Sequence, residues 1–325
     1  MMLRLLQSIF GYGETNGAYP EAIVMKAIER AVDGTDPWLR AVPGYKKKLK
    51  PSVLRAIDYV VSLVDALPPP LALGTACYGE DPRLKAFFIS PAEMRKILRS
   101  DRSMAGFLRG PDAGSPQVTA LLYMERTETR TFGVELSGDA VVRDVPLVTV
   151  TFESHRLMDP AGNEAETRLR LKKRAFDYLV RVALQRITMA KSERKELERR
   201  GALLQAKLDM LRRGGWGFDG PGCAEGEDVN GLEERLQQVE SQLLGLEVGD
   251  MLDSYLNIVI EVLGQPEQHL RGGQENLVLD RMGIRRDPAT SNTVELALPT
   301  LRNAQGGTGV VLLVAVPGEE LRGLT

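Results

Sequence analysis

The chain has 325 residues, 43% of them apolar and 26% charged, with a formal net charge of −2. That length can bury more than one core, that composition excludes disorder of the whole chain, and the near-neutral balance excludes a general attraction to nucleic acid. Two cysteines, Cys77 and Cys223, with no CxxC exclude a disulfide framework.

Residues 1–12 lack the long apolar core and cleavage site of a secretory signal, and no run of 18 apolar residues follows anywhere. The expectation is a cytoplasmic protein without a transmembrane segment. Leu3, Leu5, Leu6, Ile9 and Phe10 allow a short terminal helix, docked on its own domain or touching a membrane surface. Pro20 and Glu21 then open a helix whose Ile23, Val24, Ala27, Ile28, Ala31 and Val32 share one face, and Asp33-Gly34 closes it. The compact basic run of Lys46, Lys47, Lys48 and Lys50 precedes a second helix from about Pro51, with a broad stripe from Val53 to Leu67. Pro68 to Pro70 stop it. Ser90-Pro91-Ala92-Glu93 has capping-box spacing and starts a short helix through Met94, Ile97 and Leu98.

From Gln117 the apolar period changes to two. Val118 to Met124, Phe132 to Leu136 and Val148 to Phe152 each alternate, with a turn at Ser137-Gly138-Asp139, which predicts a three-stranded antiparallel meander. Further strands are expected at Leu277–Leu279, Val294–Leu298 and the continuous run Val310–Val314, the last covered on both faces. Between these two sets of strands lie two segments of opposite charge. Residues 166–213 hold 15 Lys and Arg against 6 Asp and Glu, and residues 219–264 hold 11 acids against one Arg.

Both segments repeat apolar residues at spacings of four and three. In the first the seam runs through Phe176, Val180, Ala183, Ile187, Leu197, Leu204, Leu208 and Leu211. In the second it runs through Leu232, Leu236, Val239 and Leu243, and shifts register at Leu243-Leu244. Folded back on each other, the two helices form an antiparallel hairpin in which each neutralises the other. The paired residue numbers sum to roughly 444 if helix periodicity is kept. That register places Arg194 opposite Asp250, two polar interruptions expected to pin the hairpin. The bend between them, residues 214–230, is glycine-rich and carries Trp216 and Phe218, which either cap the seam or contact a partner.

Chemistry is sparse. His155 beside Glu153 is the one candidate general base, with no partnered nucleophile in view. Cys77 has no assigned base, His269 lies in a polar turn expected to be exposed, and Gly306-Gly307-Thr308-Gly309 lacks the Lys and helix of a phosphate loop. No histidine or cysteine stands at metal-ligand spacing, and no cofactor motif is present. The expected fold is α+β: a helical region over 1–110, an antiparallel sheet from 111–160 and 270–325, and an inserted helical hairpin over 166–264. The expected function is non-enzymatic, a scaffold using the hairpin as spacer and contact for a protein partner. The alternatives are an enzyme using His155 with Glu153, and a binder of nucleic acid or anionic membrane through Lys46–Lys50 and the Arg-rich helix. Nucleic acid is the weaker ligand, because the acidic helix competes for that basic surface at high effective concentration.

Overall fold

The computed structural model describes residues 19–137, 140–212, 229–247, 251–286 and 293–322. In chain order its helices are α1 (Glu21–Asp33), α2 (Tyr45–Asp65), α3 (Thr75–Tyr78), α4 (Pro82–Phe87), α5 (Pro91–Ser100), α6 (Arg102–Leu108), α7 (Glu164–Arg212), α8 (Val229–Glu247), α9 (Met251–Gly264) and α10 (Gly318–Arg322). Its strands are β1 (Leu71–Ala72), β2 (Gln117–Ser137), β3 (Ala140–Ala161), β4 (Leu270–Asp280), β5 (Thr293–Asn303) and β6 (Thr308–Pro317). The fold is α+β, and the long helices enter the chain between β3 and β4. Two compact units result, Ala56–Phe176 with Pro266–Thr325 and Tyr19–Arg55 with Asp177–Gln265.

In the first unit the strands before and after the inserted helices share one sheet, in the order β3-β2-β6-β5-β4, with β1 added to β6 in parallel. β6 is its centre because its run of apolar residues has no polar face to offer water. Val310, Leu312, Val314 and Val316 join a core with Leu84, Phe87, Met94 and Leu98 from α4 and α5. Val311 and Leu313 pack on the other face with Val64 and Leu171. Gly309 opens this strand beside Tyr123, where a Cβ would lie only 2.0 Å from the ring. The sheet ends also meet. Val150 N–H donates to Gly283 O and Arg285 N–H to Val148 O, both at 2.8 Å, while Arg286 N–H donates to Val278 O at 3.0 Å. The segment after β4 thus lies between β4 and β3 and covers part of the outer edge of β3.

The expected meander is corrected. Its first two runs are one strand, β2, paired with β3 from Thr119↔Ala161 to Ser137↔Ala140. Residues 125–131, Glu-Arg-Thr-Glu-Thr-Arg-Thr, contain no turn former, so the chain stays extended where it is exposed on both faces. Gly138 and Asp139, the expected turn, lie outside the described residues. The α2 helix also starts earlier than expected, at Tyr45, with Pro51 inside it. Burial of Leu49 holds those first turns, which carry the lysines. Ser90 Oγ accepts from Glu93 N–H at 3.1 Å as the capping box requires, and Glu93 reaches back to Ile89 N–H at 2.6 Å.

In the second unit α1 buries Ile23, Val24, Ala27, Ile28, Ala31 and Val32 as its pattern dictates. After it, Asp36 caps the short turn Pro37–Ala41 by accepting from Trp38 N–H at 3.0 Å, and it also takes Lys191 Nζ from α7 at 2.6 Å. Burial alone would raise the Asp36 carboxyl, but Lys191 and the Trp38 N–H hold it below its usual range. The α7 helix has 49 residues, about 74 Å at 1.5 Å per residue. Its outer turns pack against α8 through Leu204, Leu208, Leu232 and Val239, with Leu197, Leu236 and Leu243 partly buried around them. Arg212 pairs with Glu233 at 2.6 Å, as the antiparallel register requires, and Arg186 pairs with Glu261 of α9 at 3.0 Å. The acidic arm is two helices, with 248–250 between them outside the described residues.

Candidate functional site

A prominent concavity belongs to the sheet unit. It is a cleft of 1680 Å³ bounded by the α4–α6 segment, β3 and the turn after β4. Its floor is apolar, with Phe152, Leu279, Val294 and Leu296, and Phe87 meets Phe152 edge to face with ring centroids 5.0 Å apart. The volume exceeds the roughly 300–1,000 Å³ of small-molecule pockets, so this is a groove more than a fitted cavity.

His155 faces this cleft because β3 changes phase. Val150 and Phe152 are buried, and simple alternation would send Ser154 and Arg156 inward next. Instead Ser154 takes φ of 55° at a register shift where β3 carries one extra residue, so that His155 and Leu157 become the inward pair. Two further extra residues, at Asp144 and Asp159, also sit at positive φ on β3.

The environment of His155 is that of a held ring. It stacks on Phe88 with centroids 4.9 Å apart, and its Nε2 lies 2.8 Å from Phe87 O. A carbonyl only accepts, so Nε2 carries the hydrogen and Nδ1 is the basic nitrogen of the neutral ring. Burial pushes the imidazole below its usual range, against the Phe87 carbonyl and the charges of Glu93 and Glu153. Glu153 is exposed, accepts from Thr151 Oγ1 at 3.3 Å, and makes no hydrogen bond to His155 among the described residues. Cys77 is half-buried and packs on the main core. His269, expected to be exposed, is buried at 4% because the short turn Pro266–Gln268 feeds it directly into β4. Among the described residues no group of His, Cys, Asp and Glu could hold a metal ion, and no helix is long and apolar enough to cross a membrane.

In the helical unit the lysine run is tied to carboxylates. Lys46 meets Glu29 at 3.1 Å, Lys48 meets Asp253 at 2.7 Å and Lys50 meets Glu21 at 3.6 Å; Lys47 is exposed. Tyr45 and Arg40, then Lys46, hold the Glu29 carboxyl down to about 2. Arg194 donates to Glu198 one turn along at 2.8 Å, while its expected partner Asp250 lies outside the described residues. Trp216 and Phe218 also lie outside them.

Sequence reasoning missed a second apolar line on α7. Met189, Leu203 and Met210 are 71%, 60% and 76% exposed. Their spacings of fourteen and seven residues put them on one side of the helix, away from the seam. The signal was available as a heptad position outside the seam, with Glu196 interrupting it. Comparison with protein-family models, with curated proteins and with solved structures gives no match.

Proposed function

We propose that this protein is a non-enzymatic interaction module whose helical hairpin, formed by α7 and α8 in the manner of a two-stranded coiled coil, supplies the contact for a protein partner. The observation that carries this reading is the exposed line of Met189, Leu203 and Met210. A two-helix seam covers one face of each helix, and large apolar groups left in water at a seven-residue spacing suit insertion into a groove of another protein. His155 fits the role of a positioned structural ring, since its only donated hydrogen is committed to Phe87 O. The lysines fit solvated ion pairs with Glu29, Asp253 and Glu21.

The reading is tested by quantitative co-purification with the full chain and with a Leu203→Ser/Met210→Ser variant. A discrete partner set should be lost from the variant while its thermal unfolding is unchanged. An identical partner set for both chains would overturn the assignment.

A further inference from the structure

The two edges of the β2–β3 ribbon are treated differently. The outer edge of β3 is broken by extra residues at Asp144, Ser154 and Asp159, and the turn after β4 pairs with it at Val148 and Val150. Such bulges and covers are the usual protection of an edge strand. β6 pairs with β2 only from Gln117 to Met124. Beyond Met124, no strand among the described residues pairs with the other edge of β2. That stretch runs without a register shift from Glu125↔Glu153 to Gly133↔Val145, and residues 127–132 are exposed. One long edge is blunted, and the other is regular and, among the described residues, unpaired.

The sequence on that open edge is self-complementary. We propose that two copies of this chain associate through it, residues 126–132 pairing antiparallel with the same residues of the second copy about a twofold axis at Thr129. Residues directly opposite in an antiparallel pair share a face. About Thr129, Glu128 then opposes Arg130 of the second copy, and the symmetry repeats that pair. Thr127 opposes Thr131, Thr129 opposes itself, and Arg126, whose guanidinium is paired with Glu275 at 2.5 Å, opposes the exposed ring of Phe132. The registers two residues to either side are disfavoured. A slide by two residues one way sets Arg126 against Arg130 and Glu128 against Glu128; the other way it sets Arg130 against Arg130. Arg130 has no ion pair among the described residues, and the contacts of Glu128 with Arg126 and Arg285 are long, at 3.5 and 3.8 Å, so the central pair is available. An isologous contact of this kind closes on itself at two copies.

Sedimentation analysis of the full chain across a concentration series tests the proposal. The native chain should show a reversible monomer–dimer equilibrium. Glu128→Arg alone and Arg130→Glu alone should each weaken it by at least about tenfold, since two attractive pairs become two repulsive ones. An equimolar mixture of those two variants should form a mixed dimer, because each supplies the charge the other lacks. In a Cys77→Ser/Cys223→Ser background, Thr129→Cys should form a disulfide between copies on mild oxidation. Thr127→Cys should not, because residue 127 opposes residue 131. A native chain that stays monomeric throughout would overturn the proposal. So would single variants that associate as the native chain does, or a mixture that fails to associate.

Discussion

The cleft around His155 and the outer turns of the hairpin both leave apolar side chains in water, for opposite reasons. At the cleft, exposed Ile89 and Met282 are isolated residues on the rim of a deep core that continues through Phe87, Phe152, Leu279 and Leu296. On α7 the three most exposed, Met189, Leu203 and Met210, recur along one line, above an outer seam that among the described residues holds four buried side chains. Burial at the cleft is thick enough to stabilise the fold and fix one histidine. Burial at the hairpin holds two helices together and leaves a patterned surface over. A region with a thin core and ordered exposed groups suits binding; a region with a thick core and scattered exposed groups suits stability.

Breaking the thick core should have the largest effect. Phe87→Ala removes a ring that is 2% exposed and is expected to cost about 3–5 kcal/mol, read as one cooperative loss in chemical denaturation. Leu208→Ala, at 1% exposed in the hairpin seam, should cost about 2–3 kcal/mol. Hydrogen exchange should confine that loss to the outer turns of α7 and to α8, with the amides of β6 unchanged. Equal deprotection of β6 would show that the two regions unfold together.

Acidity sharpens the contrast next. The folded pKa of His155 is depressed by burial, so the unfolded chain takes up its proton first. The stabilising contribution is full above the unfolded value near 6.5 and is lost as pH falls towards the folded value. A melting series from pH 7.5 to pH 5 should show this loss in the native chain and a shallower one in His155→Gln. Ser154→Gly should raise stability by up to about 1 kcal/mol, since glycine adopts the positive φ at that bulge without strain. Its melting temperature is the check. Leu203→Ser with Met210→Ser should change stability least, within about 0.5 kcal/mol, because both side chains are already in water.

Where side-chain chemistry alone sets the structure, the sequence was legible. The unbroken apolar run of β6 required two covered faces, and the four-and-three spacing of Leu204, Leu208, Leu232 and Val239 required a seam. Elements held by long-range pairing were not. Residues 125–131 have no apolar alternation, so their continuity in β2 is visible only through the ladder with β3. The phase change that brings His155 inward rests on the backbone angle of Ser154, a residue that carries no bulge signature. The lysine run carries no local helix signal yet lies within α2, because buried Leu49 and carboxylates remote in sequence stabilise those turns. Lys191 with Asp36, 155 residues apart, has no local signal at all.

The most direct test places a photo-crosslinking amino acid at Leu203 on the hairpin and, in a separate chain, at Glu153 beside the cleft, each in the 325-residue chain inside cells. Adducts of discrete mass from position 203, absent from position 153, are the predicted result. Adducts from position 153 alone would contradict the account and move the contact to the cleft.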